Sequence, residues 1–170
     1  DFLSGQDNRF LGWTSTIDWD APELPLIGLT QMKLLGGFQR SEQQFSYDSD
    51  GTDLPLSSLN TWRGADQYSA ELQWSGRPGD RLEWQAGGLF SRETGFRSLL
   101  QPPIGGVVPR TQIDQDTENK SYGAWLGGTY NATDSIRLKL GGRWTKDVKR
   151  SFLLRQNESG FEIRDRFLGC

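Results

Sequence analysis

The chain has 170 residues with a formal net charge of −3, and 34% of its residues are hydrophobic. It contains no histidine and one cysteine, Cys170, which excludes His-based metal sites, Ser-His-Asp or Cys-His catalysis and an internal disulfide. The acidic balance offers no basic surface for nucleic acid, while seven tryptophans and nine phenylalanines argue against a disordered chain.

The first part of the chain predicts one antiparallel hairpin. Alternating apolar and polar residues predict strands over 11–19 and from 27 to about 40. The segment 20–25 between them contains two prolines, which suit a turn and not a central strand.

The clearest alternation follows in the middle of the chain, over 67–75 and 82–91. In the first of these strands Tyr68, Leu72 and Trp74 share one face, and polar residues occupy the other. The sequence Arg-Pro-Gly-Asp between the strands predicts a tight turn, so the two strands form a second hairpin.

A third hairpin is predicted from strands over 122–130 and 136–145, joined by the polar turn 131–135. The residues 151–167 favour a further pair of strands. Together these segments predict an all-β fold, an antiparallel up-and-down meander of about six to eight strands that forms a single unit over residues 1–170.

The connections between the predicted strands alternate between short turns and long polar stretches. The long stretches, 41–66 and 93–119, are predicted to be loops. Loops of this length are unusual in a compact soluble domain, whereas an outer-membrane β-barrel has short periplasmic turns and long extracellular loops. The pattern therefore favours a segment of a transmembrane β-barrel.

Pairs of glycines followed by an aromatic residue recur in four of the predicted strands, at 36–37, 87–88, 127–128 and 141–142. Glycine weakens the interior of a strand unless curvature or close packing requires it. A barrel wall supplies both reasons, because glycines let the sheet bend and neighbouring rings can cover them.

Aromatic residues on the predicted apolar faces fall at two levels, six to eight residues apart along each strand. In a strand tilted near 40°, this spacing is roughly 15–20 Å along a membrane normal. Two ring levels with small or aliphatic residues between them are typical of the interfacial girdles of a membrane barrel. The residues predicted to lie at the lipid interface are Trp13, Trp19, Tyr68, Trp74, Trp84, Phe90, Tyr122, Tyr130 and Trp144.

The opposite faces of the same strands carry charged residues such as Glu71, Lys139 and Arg143. Such charges are costly inside a small packed barrel but acceptable in a wet or plugged lumen. Trp125 is an exception, because its position in the alternation places it on the polar side.

The predicted hairpins resemble those of TonB-dependent receptors. The resemblance is carried by QYSAELQW followed by LEWQAGGLF, by SYGAWL with LKLGGRWTKD, and by FSYDSDGT before the third strand. It spans about residues 12–151, which is most of the chain.

This resemblance implies a bacterial outer-membrane transporter with a barrel of about 22 strands and a plug in its lumen. Such receptors import scarce ligands, for example iron–siderophore complexes, with energy from the TonB complex. The chain would then be a fragment of the barrel wall, with the lipid bilayer, the rest of the barrel and the plug as its partners. It would contact TonB only through the plug, and alone it would not transport. We expect no enzyme activity, no cofactor and no nucleic-acid partner.

One candidate metal site lies in the first predicted loop. Asp48, Asp50 and Asp53 surround Gly51, and closely spaced carboxylates beside a turn glycine suit calcium. The segment is not an EF-hand, because Leu59 stands where that motif needs glutamate. The alternative is a solvated turn.

Arginines on or near the two predicted loops are candidates for binding an anionic ligand, because the guanidinium group matches a carboxylate. The alternative for each of them is solvated surface charge. These residues are Arg40, Arg63, Arg92, Arg97 and Arg110.

Two other interpretations of the whole chain remain open. A complete small outer-membrane barrel of eight strands, acting as an adhesin or structural protein, requires further strands in 1–10 and 151–170. A soluble all-β module could instead use exposed tryptophans to stack on carbohydrate, and it would be soluble without detergent.

Overall fold

A computed structural model describes residues 5–24, 27–48, 58–103 and 109–169. These residues form seven strands, which pair in chain order, each antiparallel to the next, in one open sheet. The strands are β1 (Gly5–Leu24), β2 (Gly28–Asp48), β3 (Ser58–Arg77), β4 (Leu82–Gln101), β5 (Thr111–Asn131), β6 (Arg137–Asn157) and β7 (Glu162–Gly169). The predicted all-β, up-and-down meander is confirmed. Within the described ranges there is no helix long and apolar enough to cross a membrane.

The strands are longer than the alternation predicts. The two long loops predicted over 41–66 and 93–119 are wrong, because strand pairing continues through most of both stretches. Pairing depends on backbone hydrogen bonds, which do not require an apolar face, so polar residues extend these strands. Of the two predicted loops, only the segments 49–57 and 102–110 lie between strands.

The end of the chain also differs from the prediction. Strand β6 continues past Thr145 without interruption, so 151–167 contains the end of β6 and most of β7. The turn between these strands is closed by Asn157, whose Oδ1 accepts a hydrogen bond from the Phe161 amide at 2.8 Å. Gly160 in this turn has a φ of 78°, a conformation that glycine adopts without strain.

The connections after β1, β3 and β5 lie at one end of the sheet, which we call the short-turn end. The turn after β3 includes Gly79 with a φ of 74°, and in the turn after β5 the Ile136 amide donates to Thr133 Oγ1 at 3.0 Å. The connections after β2, β4 and β6 lie at the opposite end, called the far end.

The sheet is a single layer with almost no buried side chains. Among the described residues Ala21 is the only buried hydrophobic one, whereas Leu126 is 64% and Leu140 87% exposed. A soluble domain packs such side chains into a core between two layers. In the described part of the chain no second layer covers either face.

Candidate functional site

Alternation along the strands gives the sheet two chemically different faces. The apolar face carries Tyr68, Leu72 and Trp74 of β3 together with the residues in register with them, and the polar face carries Glu71 and Gln73. The register preserves these faces across all seven strands, because the one irregularity in the described pairings lies at the short-turn end of β1. The sheet is therefore apolar on one face and polar on the other along these parts of the strands.

A row of aromatic rings crosses the apolar face halfway along the strands. Phe38 packs on Tyr68 with ring centroids 4.9 Å apart, and Phe90 packs on Tyr122 at 5.3 Å. The rings on neighbouring strands are direct register partners, except between β3 and β4 and between β5 and β6. In these two places the ring lies two residues away from the register partner of the ring on the neighbouring strand. Such steps keep the rings at one height when strands are tilted. The upper ring row consists of Trp13, Phe38, Tyr68, Phe90, Tyr122 and Trp144.

A lower ring row lies nearer the short-turn end and contains Trp19, Trp74, Trp84 and Tyr130. Trp74 and Trp84 meet edge to face with centroids 5.1 Å apart. All nine aromatic residues predicted for the lipid interface are on the apolar face. Between the two rows, strands β3 to β5 carry on this face only Ala70, Leu72, Ala86, Gly88, Ala124, Leu126 and Gly128.

The polar face holds most of the polar groups of the short-turn half of the sheet. Lys33 pairs with Asp18 at 3.2 Å on this face. Trp125 also lies here, and its ring crosses Gly87 on the neighbouring strand, where an added Cβ would be 2.0 Å from the indole. The ring therefore packs against the strand itself, and one glycine of the repeated pairs is explained by close packing.

Two of the five candidate arginines come together on the polar face. Arg63 of β3 and Arg97 of β4 are direct register partners near the far end. Arg63 Nε donates a hydrogen bond to Gln43 Oε1. Both arginines line a groove of about 590 Å³ together with Asn8 and Gln115. Two glutamates also line this groove, so an anion would meet guanidinium donors beside carboxylates.

The other three candidate arginines lie elsewhere. Arg40 and Arg92 are on the apolar face, so they do not join the groove. Arg110 precedes β5, and its carbonyl oxygen accepts a hydrogen bond from the Glu158 amide at 3.3 Å. The five candidate arginines therefore do not form a single site in the structure.

A row of charged residues lies on the apolar face two residues beyond the upper ring row, toward the far end. Arg40 binds Asp66 through two hydrogen bonds, 2.7 and 2.8 Å long. This charge row was not predicted, because Asp66 was assigned to a loop and the other members lie at or just beyond the ends of the predicted strands. The row consists of Arg40, Asp66, Arg92, Lys120 and Lys146.

Glu118, just beyond the charge row, forms ion pairs with three basic side chains. Its carboxylate lies 2.9 Å from Arg92, 3.0 Å from Lys120 and 3.7 Å from Arg150. The hydrogen bond from Lys120 and the nearby positive charges hold the pKa of this carboxyl below its usual value. The group therefore stays ionised, and we call these four residues the Glu118 cluster.

The predicted calcium site falls largely outside the described residues. Asp48 is the last residue of β2, whereas Asp50 and Asp53 are not in the described ranges. Within those ranges no group of three or more acidic or cysteine side chains is placed to hold a metal ion. The calcium site remains a prediction.

The chain is similar to known proteins in structure and not in sequence. No protein-family model and no curated protein matches the sequence. In structure the chain is similar to the ferric yersiniabactin uptake receptor FyuA from Yersinia pestis, with a TM-score of 0.75 and 12% sequence identity. The match covers 98% of this chain and 24% of the receptor, so the chain spans less than a third of that protein's length. At this identity the similarity shows a shared fold.

Proposed function

We propose that the chain is part of the wall of a TonB-dependent receptor in a bacterial outer membrane, and that the complete receptor imports a scarce ligand such as an iron–siderophore complex. The apolar face carries this proposal, because two ring rows enclose a band of uncovered small and aliphatic side chains. The structural similarity to an uptake receptor supports it.

The dimensions of the apolar face fit a bilayer. The charge row is eight residues from the lower ring row on β3 and β4, from Trp74 to Asp66 and from Trp84 to Arg92. At a tilt near 40° this is roughly 20 Å, and the apolar band of an outer-membrane barrel is about 25 Å tall. The first charges on this face therefore stand where hydrocarbon gives way to headgroups.

The polar face would line the lumen. There the groove at Arg63 and Arg97 would meet the ligand or the plug, and its two guanidinium groups favour an anionic chelate. The edges β1 and β7 would continue into the rest of the barrel, and the TonB complex would act through the plug. The fragment alone would not transport.

The two alternatives fit the structure less well. A complete eight-stranded barrel needs its first and last strands to pair, and β1 and β7 do not pair in the described residues. A soluble carbohydrate-binding module needs a buried core, and the described residues bury almost none of their apolar side chains.

The proposal is tested by the behaviour of the purified chain with and without lipid. We expect aggregation in buffer and a β-sheet signal in far-UV circular dichroism only in detergent micelles or liposomes, because the apolar face and both edges are open. Analytical ultracentrifugation measures the association state. A monodisperse, β-rich monomer in buffer without detergent would contradict the membrane wall and favour the soluble module.

A further inference from the structure

The Glu118 cluster has more positive than negative charge. Arg92, Lys120 and Arg150 come from three adjacent strands, and a single carboxylate lies among them. Lys146 adds a fourth cation one strand away from Lys120. One carboxylate neutralises one positive charge, so the cluster retains donors and charge for a further anion. The nearest other acidic group on this face and strand, Asp116, is two residues farther toward the far end.

The position of the cluster decides which anion can reach it. The cluster directly adjoins the rings of Phe90 and Tyr122 on the uncovered apolar face. A groove of about 730 Å³ beside it is lined by four arginines, Arg92 and Arg150 among them, and by four acidic residues that include Glu118; Lys120 and Lys146, which lie outside the groove, give the region its excess of positive charge. An amphiphile can place its charged group in this groove and its hydrocarbon over the rings, which a soluble anion cannot do.

The two ends of the apolar face differ in charge. Beyond the upper ring row the first positions on β2 to β6 are all charged, and four of the five are cationic. Beyond the lower ring row the first positions include Ala21, Gly76 and Leu82, none of which is charged. Cations at one end alone match a bilayer whose two surfaces differ in the density of negative charge.

We infer that the Glu118 cluster, together with Lys146, binds the phosphate group of an anionic lipid headgroup. The inference rests on the proposed function, because the cluster meets headgroups only if the apolar face lies in lipid. Two guanidinium groups can donate paired hydrogen bonds to phosphate oxygens, and the ammonium groups add charge. The acyl chains of the same lipid would then cover the Phe90 and Tyr122 rings.

The test uses the full chain in vesicles that contain brominated lipids, which quench tryptophan fluorescence on contact. Quenching by brominated phosphatidic acid is compared with quenching by brominated phosphatidylcholine at equal mole fraction. The test variant is R92Q/K120Q/R150Q, and the matched control K139Q/R143Q/K149Q removes the same charge from the polar face of β6. The single variant K146Q removes one cation without touching the contacts of Glu118.

We expect a preference for phosphatidic acid of about five-fold or more in the unmodified chain, since each basic group near an anionic surface contributes a factor of about five. The triple variant loses the preference, K146Q lowers it, and the control keeps it. Equal loss in the control and in the triple variant would overturn the inference, as would competition by millimolar inorganic phosphate. If the triple variant does not fold, an unchanged preference in K146Q overturns it.

Failure of the inference and failure of the proposed function give different results. Quenching by both lipids without a preference means that the chain lies in the bilayer and that the cluster does not select phosphate. Absence of quenching by either lipid, in a chain with a normal β-sheet signal, means that the apolar face does not meet lipid and overturns both.

Discussion

The two halves of the apolar face differ while the backbone beneath them is the same. In the short-turn half, the strands present Ala70, Leu72 and Leu126 between rings; in the far half, they present ion pairs such as that of Arg40 with Asp66. Strand pairing runs through both halves without interruption. The hydrogen-bonded ladder therefore accepts either kind of side chain, and under the proposed function the change marks where the apolar face passes from lipid to water.

The largest effect is expected from a charge in the middle of the apolar band. Leu126 lies midway between the two ring rows and is 64% exposed. Leu126→Arg should lower the free energy of unfolding in vesicles by about 2–4 kcal/mol, because a cation at the bilayer centre loses its hydration. Urea titration followed by circular dichroism measures it.

The matched control for that substitution is Gln85→Arg, which adds the same charge to the polar face. Its expected effect is within about 0.5 kcal/mol, as for an ordinary surface substitution. An equally small effect of Leu126→Arg would mean that water surrounds both faces, and it would contradict the proposal that the apolar face lies in lipid.

A smaller effect is expected where the polar face is tightly packed. Gly87→Ala would place a Cβ 2.0 Å from the Trp125 indole, whereas a Cβ on Gly88 would have its nearest neighbour at 3.7 Å. We expect Gly87→Ala to cost about 1–3 kcal/mol through overpacking, and Gly88→Ala to cost clearly less. In a G87A/W125A double variant the overpacking is relieved, so the two effects are not additive. Additive effects would show that the ring does not press on the glycine.

The smallest effect is expected in the far half of the apolar face. Arg40→Gln breaks the exposed ion pair with Asp66 and should lower the free energy of unfolding only slightly, and by less in high salt, because solvent and ions screen exposed charges. In hydrocarbon the same change would leave an unpaired carboxylate, and the loss would be several times larger and independent of salt. Unfolding measured at low and high salt therefore tells whether this half is in water, and a large, salt-independent loss would move the border of the bilayer beyond the charge row.

The sequence predicted the fold best where the two faces of a strand differ most. Over 67–75 and 82–91 the residues on one face are apolar and those on the other are polar, so alternation reveals both the strand and its orientation. The nine aromatic residues predicted for the lipid interface were assigned to one face for the same reason. Beyond the upper ring row charged side chains appear on both faces, with Arg40 on one and Arg63 on the other, so the alternation weakens and the strands were taken for loops.

The ion pairs of the far half could not be predicted from local patterns. Arg40 pairs with Asp66 and Arg92 with Glu118, in both cases across 26 residues of chain, and only the strand register brings them together. The sequence alone could have predicted that Arg63 and Arg40 lie on opposite faces of the sheet. Counting from Tyr68, which shares a face with Phe38, would have placed Arg63 on the opposite side.

Every described strand pairs only with its neighbours in the chain. Such a sheet has no contact that must wait for a distant part of the sequence, so it can grow by the addition of one hairpin to the next, as stacked repeats do. The hairpin is then the unit by which such a sheet can be lengthened, shortened or exchanged, because its removal would interrupt one pairing on each side and leave the remaining ladders intact.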